Sequence, residues 1–484
     1  MTILFLPEVI LIFGICYILF IEIFGGKRRE HFLITGVAVL LLTAIFELLI
    51  LSATQIPLVF NGFTLDSFAV FFKIIILFLS LASVVLMRLR LFSVEECTVE
   101  ALVANLSLTL VCLALVSVSD FVGLVSLLLI MTLAATLPRI ARFRKLRELE
   151  AGGRSLMVSV LPAIIFVSLG LVVLSLRGNT GYGGLAWIEE FSSLGPAHVL
   201  GILVLVLCGA SFFISSFPAL FVFREASIGG SRLSWSFSLY MIPVTIFGVL
   251  VRLLGDWFFP SLVEIGGMVG FFGLSLWQNL ILFLMMATTA VAALSLLKET
   301  SLRSLLGSLM TYHFGYLLVC FAAMSEKSVS AVLFGLAVDS LTFIMLFSAI
   351  CRICPNETSL HLESSVRPKG IPLLTASVLL FALAGLPPFP GFITKFILLG
   401  SVFEAEMHGV VVYLIISQVF VAASLARFIS RSISMADFEI ETNRGRQKEI
   451  FIQCILVAPP VIATLFSSSI LNFASHAYRF LLWS

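Results

Sequence analysis

The chain has 484 residues, 60% hydrophobic and 12% charged, with a formal net charge of +2. A water-soluble domain carries roughly 25% charge to cover its core, so this chain cannot be dissolved by its own surface and needs lipid. The near-neutral balance, with basic residues at span ends and not in one patch, gives no case for a nucleic-acid partner.

A bilayer core takes about 20 apolar residues per helix. Runs of that kind, between charged or Gly/Pro-rich breaks, predict helices over 3–24, 32–53, 67–87, 99–116, 120–137, 155–175, 198–222, 235–253, 277–297, 303–324, 330–351, 371–400, 408–428 and 450–472. The fold class expected is therefore all-α: a polytopic transmembrane bundle of about 14 spans, forming one integral membrane domain over 1–484. The first run has no basic n-region and is too long for a signal h-region, so it is expected to stay in the fold. The twelfth run is too long for one span and is broken at 386–390, where Leu386-Pro387-Pro388 interrupts it. Within 255–276, Ile265 to Leu276 is apolar but short. No tandem repeat stands out, although spans 4–8 and 9–13 leave room for a degenerate one. Cys16, Cys112, Cys208 and Cys320 sit in apolar runs and read as small hydrophobes, and the lone C-x-x-C at Cys351 and Cys354 has no second pair to complete a metal site.

Charge placement supports this map. Of the 29 Lys and Arg residues, 23 fall on alternate loops beginning after the first span. Only Arg177, Arg252, Lys327 and Arg479 fall on the other side, and Lys73 and Lys395 lie within spans. The positive-inside rule then puts the basic loops in the cytoplasm or matrix and both termini on the opposite face.

A charge at the bilayer centre costs about 2.5–3.5 kcal/mol on insertion scales, so each intramembrane ionisable residue asks for a reason. The candidates are Glu47, Lys73, Asp120, His313, Asp339 and Lys395; Glu22 and Glu264 lie near span ends and can snorkel. Lys395 follows Gly385-Leu386-Pro387-Pro388-Phe389-Pro390-Gly391. Its prolines free backbone carbonyls at membrane depth, which is tolerated only in protein or beside a hydrated cavity. The ammonium there either exchanges a proton or neutralises the broken helix's carbonyls. His313 reads as a proton relay or a packed, hydrogen-bonded imidazole, and Asp339 as a proton site or a partner for a lysine. Glu47 and Lys73 read as a structural pair or as snorkelling groups. Asp120, at a span start, reads as a helix N-cap. No Cys cluster suits an iron–sulfur centre and no phosphate loop follows a strand, so nucleotide binding and electron transfer are expected elsewhere.

Several segments resemble the antiporter-like subunit 2 (bacterial subunit N) family of respiratory complex I. Phe5-Leu6-Pro7-Glu8-Val9 is similar to its opening Pro-Glu motif, Asp66-Ser67-Phe68 to the start of its third helix, and Glu150-Ala151-Gly152-Gly153-Arg154 to the entry of its sixth. The specific matches are Arg303-Ser304-Leu305-Leu306-Gly307-Ser308 running on to His313-Phe314-Gly315-Tyr316, and Ala384 to Phe396 with its Pro-Pro, Gly-Phe and Lys-Phe elements. The resemblance implies an antiporter-like core at about 99–430 and a membrane-arm subunit of proton-pumping NADH:ubiquinone oxidoreductase. It implies no cofactor on this chain, with FMN and iron–sulfur clusters on other subunits. The implied partners are other membrane-arm subunits, including neighbouring antiporter-like ones, and membrane lipids. The family's line of mid-membrane residues is a Glu on the fifth helix and a Lys on each of the seventh, eighth and twelfth.

Here ungapped counting puts Leu129, Phe213 and Pro243 or Val244 in the first three columns, and only Lys395 remains. The proton pathway expected is then confined to Lys395, His313 and Asp339, and the channel is lost or rerouted through those residues. A cation/proton antiporter or hydrogenase subunit of the wider family, or an unrelated secondary transporter, is the alternative; the last would need paired broken helices, and one break is evident. Such drift suggests the mitochondrial inner membrane, with the bacterial plasma membrane as the alternative.

Overall fold

A computed structural model describes residues 5–24, 29–53, 58–60, 62–88, 99–140, 146–177, 196–223, 232–255, 274–299, 301–353, 370–434 and 443–483. Most of the uncertain stretch 255–276, the loop 178–195 and Cys354 lie outside the described residues, as do the side chains of Glu150–Arg154 and Arg303.

In chain order the helices are α1 (Leu6–Phe24), α2 (Arg29–Ala53), α3 (Ser67–Arg88), α4 (Val99–Ser117), α5 (Phe121–Ile140) and α6 (Leu146–Arg177). Next come α7 (Pro196–Ile214), α8 (Arg232–Leu253), α9 (Leu276–Lys298), α10 (Leu302–Leu317), the short α11 (Val319–Ala323) and α12 (Glu326–Ile353). The last are α13 (Gly370–Ala384), α14 (Pro390–Glu404), α15 (His408–Ser434), α16 (Asn443–Leu465) and α17 (Ser467–Trp483). Among the described residues, eight helices are long and apolar enough to cross a bilayer, and a bent pair makes a ninth. Five further apolar helices are shorter.

The bundle is all-α as expected, with one small addition: β1 (Leu58–Phe60) and β2 (Phe63–Leu65) form an antiparallel hairpin between α2 and α3. Gly62 turns it at φ 79°, a left-handed conformation that glycine adopts at little steric cost. One expectation needs correction: the final run, 450–472, is not one straight helix, because α16 and α17 meet at 68°. Ser467-Ser468-Ser469 follows the bend, and serine favours starting a helix over continuing one.

Burial varies sharply between helices, and that places the interior. The membrane-length stretch of α10 and α11 is entirely buried and that of α12 is 89% buried, whereas those of α1 and α2 are 28% buried. α12 packs on α3, α8, α13, α14, α16 and α17, so it forms the hub of the bundle. The exposed faces of α1, α2, α5 and α15 carry large apolar residues such as Phe13, Leu49, Leu133 and Val419, which suits lipid contact.

Contacts between distant segments follow the charge alternation. Arg252 makes a two-pronged bond to Asp66 at 2.8 and 2.9 Å and also reaches the Thr64 hydroxyl. Lys327 pairs with Glu404 at 2.6 Å, and Arg479 with Glu326 at 2.6 Å. Every one of these residues falls on the side assigned away from the cytoplasm. On the other side, Arg427 donates to the Leu297 carbonyl.

Candidate functional site

The Pro387-Pro388 break lies between α13 and α14, and Gly385 starts it at φ 77°. A Cβ on Gly385 would sit 2.8 Å from Lys395 Cδ and 3.2 Å from its Nζ, so the missing side chain makes room for the lysine. Lys395 is buried, and its ammonium donates to the Leu383 carbonyl at 2.8 Å. The Gln418 amide donates to the neighbouring Ala384 carbonyl. Two carbonyls freed by the break thus gain partners, as the structural reading of Lys395 requires.

The same lysine faces a carboxylate. α12 and α14 approach closely where Gly335 meets Thr394, a contact of 2.6 Å if a Cβ were present. Gly391 lies 3.4 Å from Asp339 Oδ1 by the same construction. Gly335 and Asp339 share one helix face at a spacing of four, as do Gly391 and Lys395. Glycines therefore bring the two charges within electrostatic reach, each acting on the other.

His313 on α10 completes the cluster. Its Nε2 is 3.8 Å from Asp339 Oδ2, and neither atom has a hydrogen-bond partner among the described residues. The buried hydroxyls of Thr394 and Ser340 are likewise unpartnered. Tyr312 and Tyr316 present their rings to the Lys395 ammonium at 5.9 and 5.8 Å, within cation–π range. The Tyr312 hydroxyl is tied to Ser417 at 3.0 Å and donates to Gln418 at 3.1 Å.

A second break went unnoticed in the sequence. α7 ends at Ile214, Ser215 adopts φ 52°, and the chain turns through Phe217-Pro218. Its hydrogen bonds recur 170 residues later: Ser216 N to Ser211 O matches Leu386 N to Phe381 O, and Ala219 N to Ser216 O matches Phe389 N to Leu386 O. Val222 N to Ala219 O matches Phe392 N to Phe389 O. The α7 and α13–α14 breaks are thus equivalent turns, the mark of the degenerate repeat for which spans 4–8 and 9–13 left room. Only the second turn has a glycine at the left-handed position; Ser215 takes it in the first, and its hydroxyl accepts from Phe223 N at 3.3 Å.

The two halves differ in charge. Phe213 is buried in the apolar core, as are Pro243 and Val244. Leu129 is 40% exposed, so counting alone put the glutamate column on the outer face of α5; its buried neighbours Leu128 and Thr132 are not ionisable either. One polar thread still crosses from the first break: the Thr311 hydroxyl donates to Ser215 Oγ at 3.3 Å, two residues before His313. Asp120 accepts from Gly123 N at 3.2 Å, as an N-cap does. Glu47 and Lys73 meet each other and Glu8 in a separate cluster. Among the described residues no group of three or more His, Cys, Asp or Glu is arranged to hold a metal.

The chain matches the family described as NADH:quinone oxidoreductase/Mrp antiporter, TM, over residues 122–421. NADH-quinone oxidoreductase subunit N 1 of Rhizobium meliloti is 26% identical over 422 residues, covering 86% of this chain and 84% of that one. Subunit N of Rubrobacter xylanophilus is 25% identical over 403 residues, covering 81% and 79%. A chain of respiratory complex I from Thermus thermophilus superposes with a TM-score of 0.73 at 17% identity, covering 97% of this chain and 99% of that one. A chain of an archaeal membrane-bound sulfane sulfur reductase gives 0.82 at 15% identity, covering 100% and 98%. One of the Mrp complex from Dietzia gives 0.78 at 17%, covering 98% and 52%. These structural likenesses establish the shared fold.

Proposed function

The chain belongs to the NADH:quinone oxidoreductase/Mrp antiporter transmembrane family, and on that footing we propose that it is a membrane-arm subunit of a proton-pumping NADH:quinone oxidoreductase whose own proton route is interrupted. The carrying observation is the contrast between the halves. The second holds buried His313, Asp339 and Lys395 around its break, while the matching break of the first is lined by Phe213 and Ser215. Protons pass along titratable groups or ordered water, and Phe and Leu offer neither. In this reading the cluster holds a buried charge pair, while the subunit's main work is to fill and seal the membrane arm.

A second reading, a rerouted path, draws on the Thr311–Ser215 hydroxyl contact. A hydroxyl relay needs an unbroken chain of hydrogen-bonded hydroxyls or water, and a single contact does not cross half a bilayer, so interruption is favoured.

The redox chemistry, with FMN and iron–sulfur clusters, is assigned to other subunits, and neighbouring antiporter-like subunits and lipids are the proposed contacts. Sequence relatives favour this assignment over an antiporter or hydrogenase subunit, since fold likeness alone extends to an Mrp complex as well as to complex I. The paired breaks, which looked single in the sequence, meet what an unrelated transporter would need, but the family match over residues 122–421 removes the case for one. The segment matched to the family lies inside the proposed core of about 99–430. Adding the five shorter apolar helices to the nine spans would give fourteen. The named relatives are bacterial, which favours the bacterial plasma membrane; the mitochondrial inner membrane finds no support among them.

The test is the proton-to-electron ratio of the purified complex in sealed vesicles, compared with a complex whose corresponding subunit keeps all four columns. A lower ratio is expected. An equal ratio would overturn interruption and favour the rerouted path.

A further inference from the structure

A second buried ionic cluster lies outside the antiporter-like core, among α1, α2 and α3. Lys73 Nζ is 2.5 Å from Glu8 Oε1 and 3.5 Å from Glu47 Oε1. The side chains of Lys73 and Glu47 are fully buried, and that of Glu8 is 12% exposed. Neither Glu47 oxygen has a hydrogen-bond partner among the described residues, nor has Glu8 Oε2.

We propose that Glu8, Glu47 and Lys73 form a proton-binding site that holds one exchangeable proton, carried on Glu47, and loads from the non-cytoplasmic face through Glu8. The argument is a charge count. Two carboxylates share one ammonium, which leaves one negative charge in excess in a buried site, and an uncompensated buried ion is strongly disfavoured. One proton removes the excess. Glu8 holds the close contact with the ammonium, so Glu47, 3.5 Å from it and with neither oxygen hydrogen-bonded among the described residues, is the carboxylate left to take the proton.

Among the described residues, the elements packed on this cluster offer no other counter-charge, and His476 of α17 is exposed. Arg252 on α8 is committed to Asp66, and Arg479 on α17 to Glu326 of α12. Asp339 of α12 faces His313 and Lys395. On α4, Glu100 is exposed, and the uncharged Cys112 is bonded to Thr245. Tyr240 of α8 donates to the Phe343 carbonyl. The charges that act on Glu47 are those of Lys73 and Glu8.

Depth sets the side of access. Glu47 lies six residues before the end of α2 and Lys73 six after the start of α3, so each is about 9 Å along its helix from the end on the non-cytoplasmic side. Glu8 lies in the first turn of α1, at that same face.

The experiment uses the assembled complex in its membrane, treated with dicyclohexylcarbodiimide. The O–H of a protonated carboxyl adds across the reagent's N=C=N to give an O-acylisourea, which rearranges to a stable N-acylurea. Peptide mass spectrometry should find that adduct on Glu47, and Glu47→Gln should abolish it. With Lys73→Met, Glu8 should become labelled as well. Glu47 labelled in the Lys73→Met variant but not in the wild type would overturn the proposal, because the reagent would then have reached an ionised group. If reagent access fails in both, infrared spectroscopy decides: Glu47→Gln should remove one protonated-carboxyl absorption per molecule, and no loss overturns the proposal. In sealed vesicles that band should shift when heavy water is added on the non-cytoplasmic side, and a shift only from the cytoplasmic side overturns the loading direction. Glu47 lies outside residues 122–421, so this result stands apart from the fate of the antiporter-like route.

Discussion

Replacing Asp339 with Leu isolates the energetic core of the site. The aspartate is 2% exposed and Lys395 6% exposed. With the carboxylate gone, the ammonium keeps one carbonyl, Leu383 O, and two aromatic rings but no counter-charge. Breaking a buried ion pair from one side costs about 3–5 kcal/mol, whereas replacing both partners by apolar groups is neutral or stabilising. Asp339→Leu alone is therefore expected to lose about 3 kcal/mol, in the lower part of that range because Asp339 and Lys395 act on each other through space and not in a tight fork. Lys395→Met alone leaves an unpaired carboxylate and should lose a similar amount. The double variant should cost no more than either single variant, a coupling of about 3 kcal/mol, at the top of the ~0.5–3 kcal/mol span of residues in one network. Equilibrium unfolding in lipid bicelles would measure the cycle. Additive losses, with no recovery in the double variant, would refute the pairing of these charges.

Other substitutions test neighbouring parts of the account. Gly385→Ala meets both a left-handed backbone and a Cβ position 2.8 Å from Lys395 Cδ, so it should cost at least the ~1–2 kcal/mol of the backbone term; thermal unfolding unchanged from wild type would contradict this. Ser215→Ala removes the hydroxyl that accepts from Phe223 N and Thr311 and should cost roughly 1–3 kcal/mol in the same measurement. Arg252→Lys loses the two-pronged contact with Asp66, which a point charge cannot restore; reduced assembly of the subunit into its complex is expected, and normal assembly would count against an anchoring role for the hairpin side. Lys327→Ala breaks a pair whose side chains are 64% and 58% exposed, so its effect on unfolding should stay below about 1 kcal/mol.

How far the sequence could be read depended on whether a feature was local. The second break announced itself because Pro387, Pro388 and Pro390 together cannot continue a helix. The first has one proline, Pro218, and puts Ser215 where glycine would be the usual signal. Only its backbone bonds reveal the equivalence. Lys395, His313 and Asp339 were each visible as costly intramembrane charges, but their convergence needed the glycine-to-threonine approach of α12 and α14, a property of two helices and not of either alone. Glu47 and Lys73 were legible as a pair; Glu8 was not, because it looked like part of an opening motif near a span end. The ungapped count failed at Leu129 for a related reason: a position in a string carries no face until the helix is rotated against its neighbours. The α16–α17 bend was hidden because Phe466 and the serines after it leave the run apolar enough to read through.

The double variant Asp339→Leu with Lys395→Met, which should retain the fold, bears most directly on interruption of the route. Its complex in sealed vesicles should show the same proton-to-electron ratio as the wild type, because no protons cross through this cluster. A fall in that ratio would contradict the account and place the cluster on a working path.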